Sequence, residues 1–158
     1  MKSSLLSVSA MFFCLFGCEV RTSTGQIDTS NASEPDTTIA ITTFQTPADI
    51  EGCGYYFGPD EETFRNNVFV FVANMKGVGY IMADGVLQKL TLSSTTSNPE
   101  KFGDHTDVYI NDSYRVTVHM HYVSQVFQED TWMIEGSLWV ETKDGKKSVN
   151  SVFGERGC

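Results

Sequence analysis

The stretch from Tyr114 to Phe127 constrains this chain more than any other. Tyr114, Val116, Val118, Met120 and Tyr122 alternate there with Arg115, Thr117, His119 and His121. Side chains on a strand point to opposite sides in turn, so an apolar residue at every second position puts one face on a core and the other in water. A helix would scatter the same residues around its circumference. The stretch therefore predicts a long strand in a half-solvated antiparallel sheet, and its neighbours must share its period.

They do. Trp132, Ile134, Leu138 and Val140 continue the alternation after a turn near Gln128-Glu129-Asp130, and Asp144-Gly145 sends Ser148 to Phe153 back along them. Upstream, Val68 to Val72 ends at Asn74-Met75-Lys76-Gly77, and Val78 to Ala83 is joined to Val86–Leu92 by Asp84-Gly85, a strong hairpin signal. A polar loop from Ser93 to Asp104, a short strand at Val108 to Ile110 and a turn at Asn111-Asp112 complete the series. Only Glu61-Glu62-Thr63-Phe64 suggests a helical turn. The fold class predicted is all-β: an antiparallel meander of about seven strands, closed as a small barrel or folded as a sandwich.

The polar side of the meander holds the candidate binding residues: His119, His121, Trp139, Glu141 and Arg115. Pairing Val126 with Trp132 would set Tyr122 over Gly136, His121 beside Ser137, His119 beside Trp139, and Thr117 beside Glu141. A two-residue turn at Asp144-Gly145 would set Val140 opposite Val149 and Leu138 opposite Ser151, with Asn150 next to Trp139. An outward indole among imidazoles and carboxylates, Glu135 included, suits recognition, although an ordinary solvated sheet face is the plainer alternative. His119-x-His121 could begin a zinc or copper site with Glu141 or Asp107, but no third ligand has diagnostic spacing, so neither metal nor cofactor is expected. Asp104-His105-Thr106-Asp107 reads as a polar loop that could also form a site.

The first 17 residues carry a different signal. Lys2 precedes an apolar run from Leu5 to Gly17, the layout of a secretory leader. That run falls short of the ~20 apolar residues that cross a bilayer. It ends in Leu15-Phe16-Gly17-Cys18, which resembles the lipobox of bacterial lipoprotein signal peptides. Phe16 departs from the small residue commoner there, and a plain signal peptide cut nearby is the alternative. The resemblance implies a signal peptide over 1–17, cleavage before Cys18, and a lipid and a fatty acyl chain on Cys18. Glu19, where Asp would suggest inner-membrane retention, favours the outer membrane within the cell envelope. Two or more acyl chains anchor firmly, at ~0.8 kcal/mol per buried methylene. Residues 18–48, rich in Ser, Thr, Asn and Asp, are expected to be a flexible tether, or to hold an edge strand at Thr38 to Phe44. The β-domain is then 49–158.

With Cys14 removed and Cys18 lipidated, as the lipobox implies, only Cys53 and Cys158 remain of the four cysteines. In an oxidising compartment this pair is expected to form a disulfide. Losing Lys2 with the leader leaves 10 basic against 20 acidic residues, a net charge of −10. Such a field disfavours nucleic acid and anionic lipid headgroups and favours a cationic protein or peptide partner. The chain has no Gly-x-Ser-x-Gly elbow, His-Glu-x-x-His, phosphate-cradling glycine loop or evident cysteine nucleophile, so no enzyme is expected. The favoured class is a lipid-anchored, non-enzymatic binding or assembly module.

The alternative is an inhibitor of a cationic hydrolase. A lipobox, an acidic β-domain and an Asp-Gly hairpin leading into Leu87-Gln88-Lys89-Leu90-Thr91-Leu92 make the chain similar in outline to small lipidated inhibitors of C-type lysozyme. The likeness covers Val68 to Leu92. Cys53 is followed by Gly54-Tyr55-Tyr56 and lacks that family's Tyr-x-Cys start, so no inhibitory residue is carried over.

Overall fold

In a computed structural model of the chain, residues 38–97, 103–126 and 130–158 are described. The leader, Cys18 and the tether up to residue 37 lie outside them. The elements in chain order are β1 (Ile41–Thr42), β2 (Gly54–Gly58), α1 (Glu61–Arg65), β3 (Phe71–Asn74) and β4 (Val78–Ala83), followed by β5 (Val86–Ser97), β6 (Asp104–Ile110), β7 (Tyr114–Gln125), β8 (Trp132–Thr142) and β9 (Lys147–Gly157).

Hydrogen-bonded neighbours follow the order β4-β3-β2-β9-β8-β7-β6-β5, all antiparallel, and β5 pairs back on β4. Eight strands thus close a barrel, and β1 lies along β4. The barrel, not the sandwich, is the outcome. The strand missing from the sequence-based count is β2. Its Gly54-Tyr55-Tyr56-Phe57-Gly58 is too short and glycine-bounded to show a period, yet it joins β3 to β9 and so completes the circle.

The alternation of β7 holds. Val116, Val118 and Met120 are buried against Ile134, Leu138 and Val140 of β8, with Phe57, Phe71, Ile81, Leu90 and Tyr109 filling the rest of the interior. Each such side chain contributes about 1.5–3 kcal/mol by leaving water. The hairpin at Asp84-Gly85 has φ of 49° and 76° at its two residues, the pair of positive values a type I′ turn requires. The predicted turn at Asn111-Asp112 is held by Asn111 Oδ1, which accepts from the Ser113 and Tyr114 amides. The helical turn is present too, capped by Asp60 Oδ1 on the Thr63 amide at 2.7 Å.

Two registers differ from expectation. Gln125, not Val126, pairs with Trp132, and a bulge between Tyr122 and Ser124 shifts β7 by one more residue relative to β8, so Met120, not Tyr122, faces Gly136. The β8–β9 turn holds three residues rather than two: the Thr142 amide donates to the Lys146 carbonyl, and Gly145 takes a φ of 91°. This one-residue slip sets Val140 opposite Ser148 and Leu138 opposite Asn150. It turns Val149 outward and Asn150 inward, because strand faces alternate.

Residues 38–48, expected to be part of a tether, instead pack on the barrel. Thr38 bridges to Lys147, and Ile39, only 3 % exposed, packs into the main core. Phe44 and Ile50 join Phe69, Val72 and Tyr80 in a second cluster. Residues 38–50 therefore form a strap belonging to the domain, and the edge strand that was the alternative reading is present as β1.

Polar spacing at Ser93 to Asp104 also conceals strand. β5 runs on to Ser97 and β6 begins at Asp104, so Asp104-His105-Thr106-Asp107 is strand, not loop.

Candidate functional site

All five candidate residues sit on the outer face of β7 and β8, where the sequence placed them. Their neighbours are shifted by the hairpin end and the bulge together: His121 lies opposite Glu135, His119 opposite Ser137, Thr117 opposite Trp139 and Arg115 opposite Glu141. His119 and Trp139 still meet on the diagonal, with ring centroids 5.9 Å apart and planes at 84°. Trp139 remains 46 % exposed, and its Nε1 donates to Ser137 Oγ at 2.9 Å. Val149, opposite Trp139 on β9, takes the place expected for Asn150 and extends the indole with an exposed apolar neighbour.

The imidazoles are oriented by β6. His121 Nδ1 lies 2.6 Å from Asp104 Oδ1, and His119 Nδ1 lies 3.0 Å from Thr106 Oγ1. Glu141 accepts from Lys147 Nζ at 2.7 Å, and this contact, with the Arg115 charge beside it, holds its carboxyl below the ordinary glutamate range. Between these strands runs an open groove of about 720 Å³, lined by Asp104, Thr106, His119, His121 and Glu135 among others, with Thr96 and Ser97 of β5 at its margin.

Asp107 is not part of this face. It points inward, 2 % exposed, and accepts from Thr95 Oγ1 at 2.7 Å, with His105 Nε2 at 2.9 Å. Glu141 is engaged by Lys147. Among the described residues, no three His, Cys, Asp or Glu side chains converge as a metal site.

Asp107 belongs to an internal polar cluster that sequence reasoning missed. Arg156 lies 5.6 Å over the Tyr55 ring and donates to the Tyr122 hydroxyl at 3.2 Å. Burial, with the Asp107 charge next in effect, pushes the Tyr55 and Tyr109 hydroxyls well above the ordinary tyrosine range. Every buried side-chain polar atom among the described residues has a partner. The cluster is thus a satisfied network inside the wall, of the kind that fixes one packing. The signal for it was parity: Asp107 and Tyr109 lie an even number of residues apart and so share the inner side.

The fold and the face define a class: a small closed antiparallel β-barrel braced by the Cys53–Cys158 disulfide, with an outer groove lined by histidines and carboxylates and an exposed Trp139 on the same face. No family model, curated protein or solved structure matches the chain.

Proposed function

We propose that this protein is a non-enzymatic recognition module of the cell envelope. It is held at a membrane, the outer one by preference, through acyl chains on Cys18. It binds a cationic protein or peptide across the outer face of β6, β7 and β8. The observation that carries the reading is Trp139, which stays 46 % exposed while Ser137 and His119 fix its orientation, with Val149 opposite and carboxylates along the same face. An oriented, accessible indole attracts Lys and Arg by cation–π contact, worth about 0.5–1 kcal/mol at exposed sites, and carboxylates add ion pairing. The chain's net charge of −9 steers such a partner toward it.

The test is calorimetric titration with a basic protein, lysozyme, at low and physiological salt. Binding should weaken as salt rises, and Trp139→Ala should weaken it further while leaving cooperative unfolding intact. A variant that binds as the parent does would remove the face from the reading. If cooperative unfolding collapses instead, Trp139 is part of the core. Loss of lysozyme activity on adding the protein would move the reading to hydrolase inhibition. Mass analysis of the Cys18 peptide tests the anchor, and Cys18→Ser should release the protein from membranes.

A further inference from the structure

The barrel is closed along only part of β5. Strand β4 pairs with Val86 through Thr91, and the Leu92 amide donates to the Gly77 carbonyl at 2.8 Å. Beyond that point β5 continues to Ser97 with only β6 beside it among the described residues, because the chain on the other flank has already turned at Asn74–Gly77. Ser93-Ser94-Thr95-Thr96-Ser97 is therefore a strand with one open edge, and all five residues are exposed. The segment holds no Lys, Pro or other charged side chain. Exposed edges in monomeric proteins are usually blunted by such residues, since a row of unpaired amides and carbonyls is a template for another strand.

We propose that this edge takes a strand from a partner: an extended, basic peptide segment lying in the lane that β4 vacates. Main-chain hydrogen bonds along β5 would supply affinity, and alternate side chains of the added strand would supply selectivity. Basic character follows from the surroundings. The chain carries a net charge of −9, which draws a cationic segment toward the edge more strongly than a neutral or acidic one, and Asp104 lies on β6 just beyond the Ser97–His105 pair. The inference deepens the proposed recognition of a cationic partner and rests on it. The edge would hold backbone, while Trp139, on β8 three strands from β5, reports separately on the outer face.

The experiment is hydrogen–deuterium exchange of the full chain with a synthetic peptide of alternating Lys and Val. Its acidic counterpart, alternating Glu and Val, and a copy N-methylated at alternate residues serve as controls. The basic peptide should slow exchange of the Ser93–Ser97 amides at least tenfold and shift the Trp139 indole N–H resonance. The other two peptides should leave Ser93–Ser97 unchanged. Thr96→Lys, a charge placed on the exposed edge, should weaken the basic peptide at least tenfold without altering the unfolding midpoint.

A Trp139 shift without protection at Ser93–Ser97 would overturn the edge inference and leave the proposed face standing. Protection without any Trp139 shift would support the edge and remove the face. Equal protection by the acidic peptide would overturn the assignment to a basic segment. If none of the peptides binds, both readings fail.

Discussion

A methyl group on Gly154 would sit 1.9 Å from the Tyr56 carbonyl oxygen and 2.6 Å from the Phe57 ring. That single position shows how tightly β9 and β2 approach where they close the wall. No L side chain fits without moving a backbone, so glycine there is dictated by close approach rather than by a turn. Gly154→Ala should destabilise the domain by more than about 2 kcal/mol in urea unfolding, in the upper part of the range of about 1–3 kcal/mol for overpacking a core. A change below 0.5 kcal/mol, on the scale of ordinary surface substitutions, would show that the strands relax easily. Buried hydroxyls give a second residue-scale prediction. Tyr55 and Tyr109 hold their protons more tightly folded than unfolded, because burial disfavours the phenolate. Their contribution is complete below the unfolded tyrosine pKa of about 10 and is lost as pH rises above it. The unfolding midpoint should therefore fall from about pH 10 upward, and Tyr55→Phe should flatten that fall; an unchanged slope would argue against it. The outer face was legible at this scale because alternation fixes which side a residue takes. Its exact neighbours were not, since the pairing of Gln125 with Trp132 and the extra residue at Val123 each move the partners by one and leave no trace in the period.

At the scale of elements, hairpins with glycine at a positive φ announced themselves, whereas β2 did not and the strap did so only as the alternative edge strand at Thr38 to Phe44. β2 has only three residues between its two glycines, and the buried residues of the strap, Ile39, Phe44 and Ile50, are spaced too widely for either period. What orders the strap is tertiary. Phe44 exchanges backbone hydrogen bonds with Phe69, the Asp84 amide donates to the Ala40 carbonyl while Asp84 Oδ1 accepts from the Ala40 amide, and Asp49 accepts from Tyr80 and Lys89 at 2.6 and 2.8 Å. A chain starting at Asp49, the boundary that composition suggests, leaves the second apolar cluster uncovered. Compared with a chain starting at Pro35, it should unfold at lower urea and bind a hydrophobic dye. Phe44→Ala in the longer chain should cost about 3–5 kcal/mol, the range for truncating a buried aromatic ring. Equal midpoints for the two chains would mean that the strap rests on the barrel without stabilising it.

For the whole molecule, the decisive closure is that of β2 on β9, and the disulfide stands at its end. Gly54 pairs with Gly157, and the next residue outward on each side is Cys53 and Cys158, joined with an S–S distance of 2.04 Å. The bond thus continues the ladder that makes the sheet a barrel. Its partners are 105 residues apart, so the unfolded chain loses a large share of its freedom when the loop is closed. In the chain-entropy treatment a loop of that size is worth about 4.7 kcal/mol. The two cysteines were legible in sequence as a pair, but their place in the seam was not, because β2 itself went unseen. For a domain of this size, removing about 4.7 kcal/mol corresponds to lowering Tm by about 15 °C or more. Calorimetry with and without reductant, and on the Cys53→Ser/Cys158→Ser variant, measures it. The variant and the reduced protein should agree, because the constraint acts on the unfolded chain and the ladder from Gly54 to Gly58 can form in either. A drop under about 5 °C would mean that β2–β9 pairing and core packing already hold the seam without covalent help.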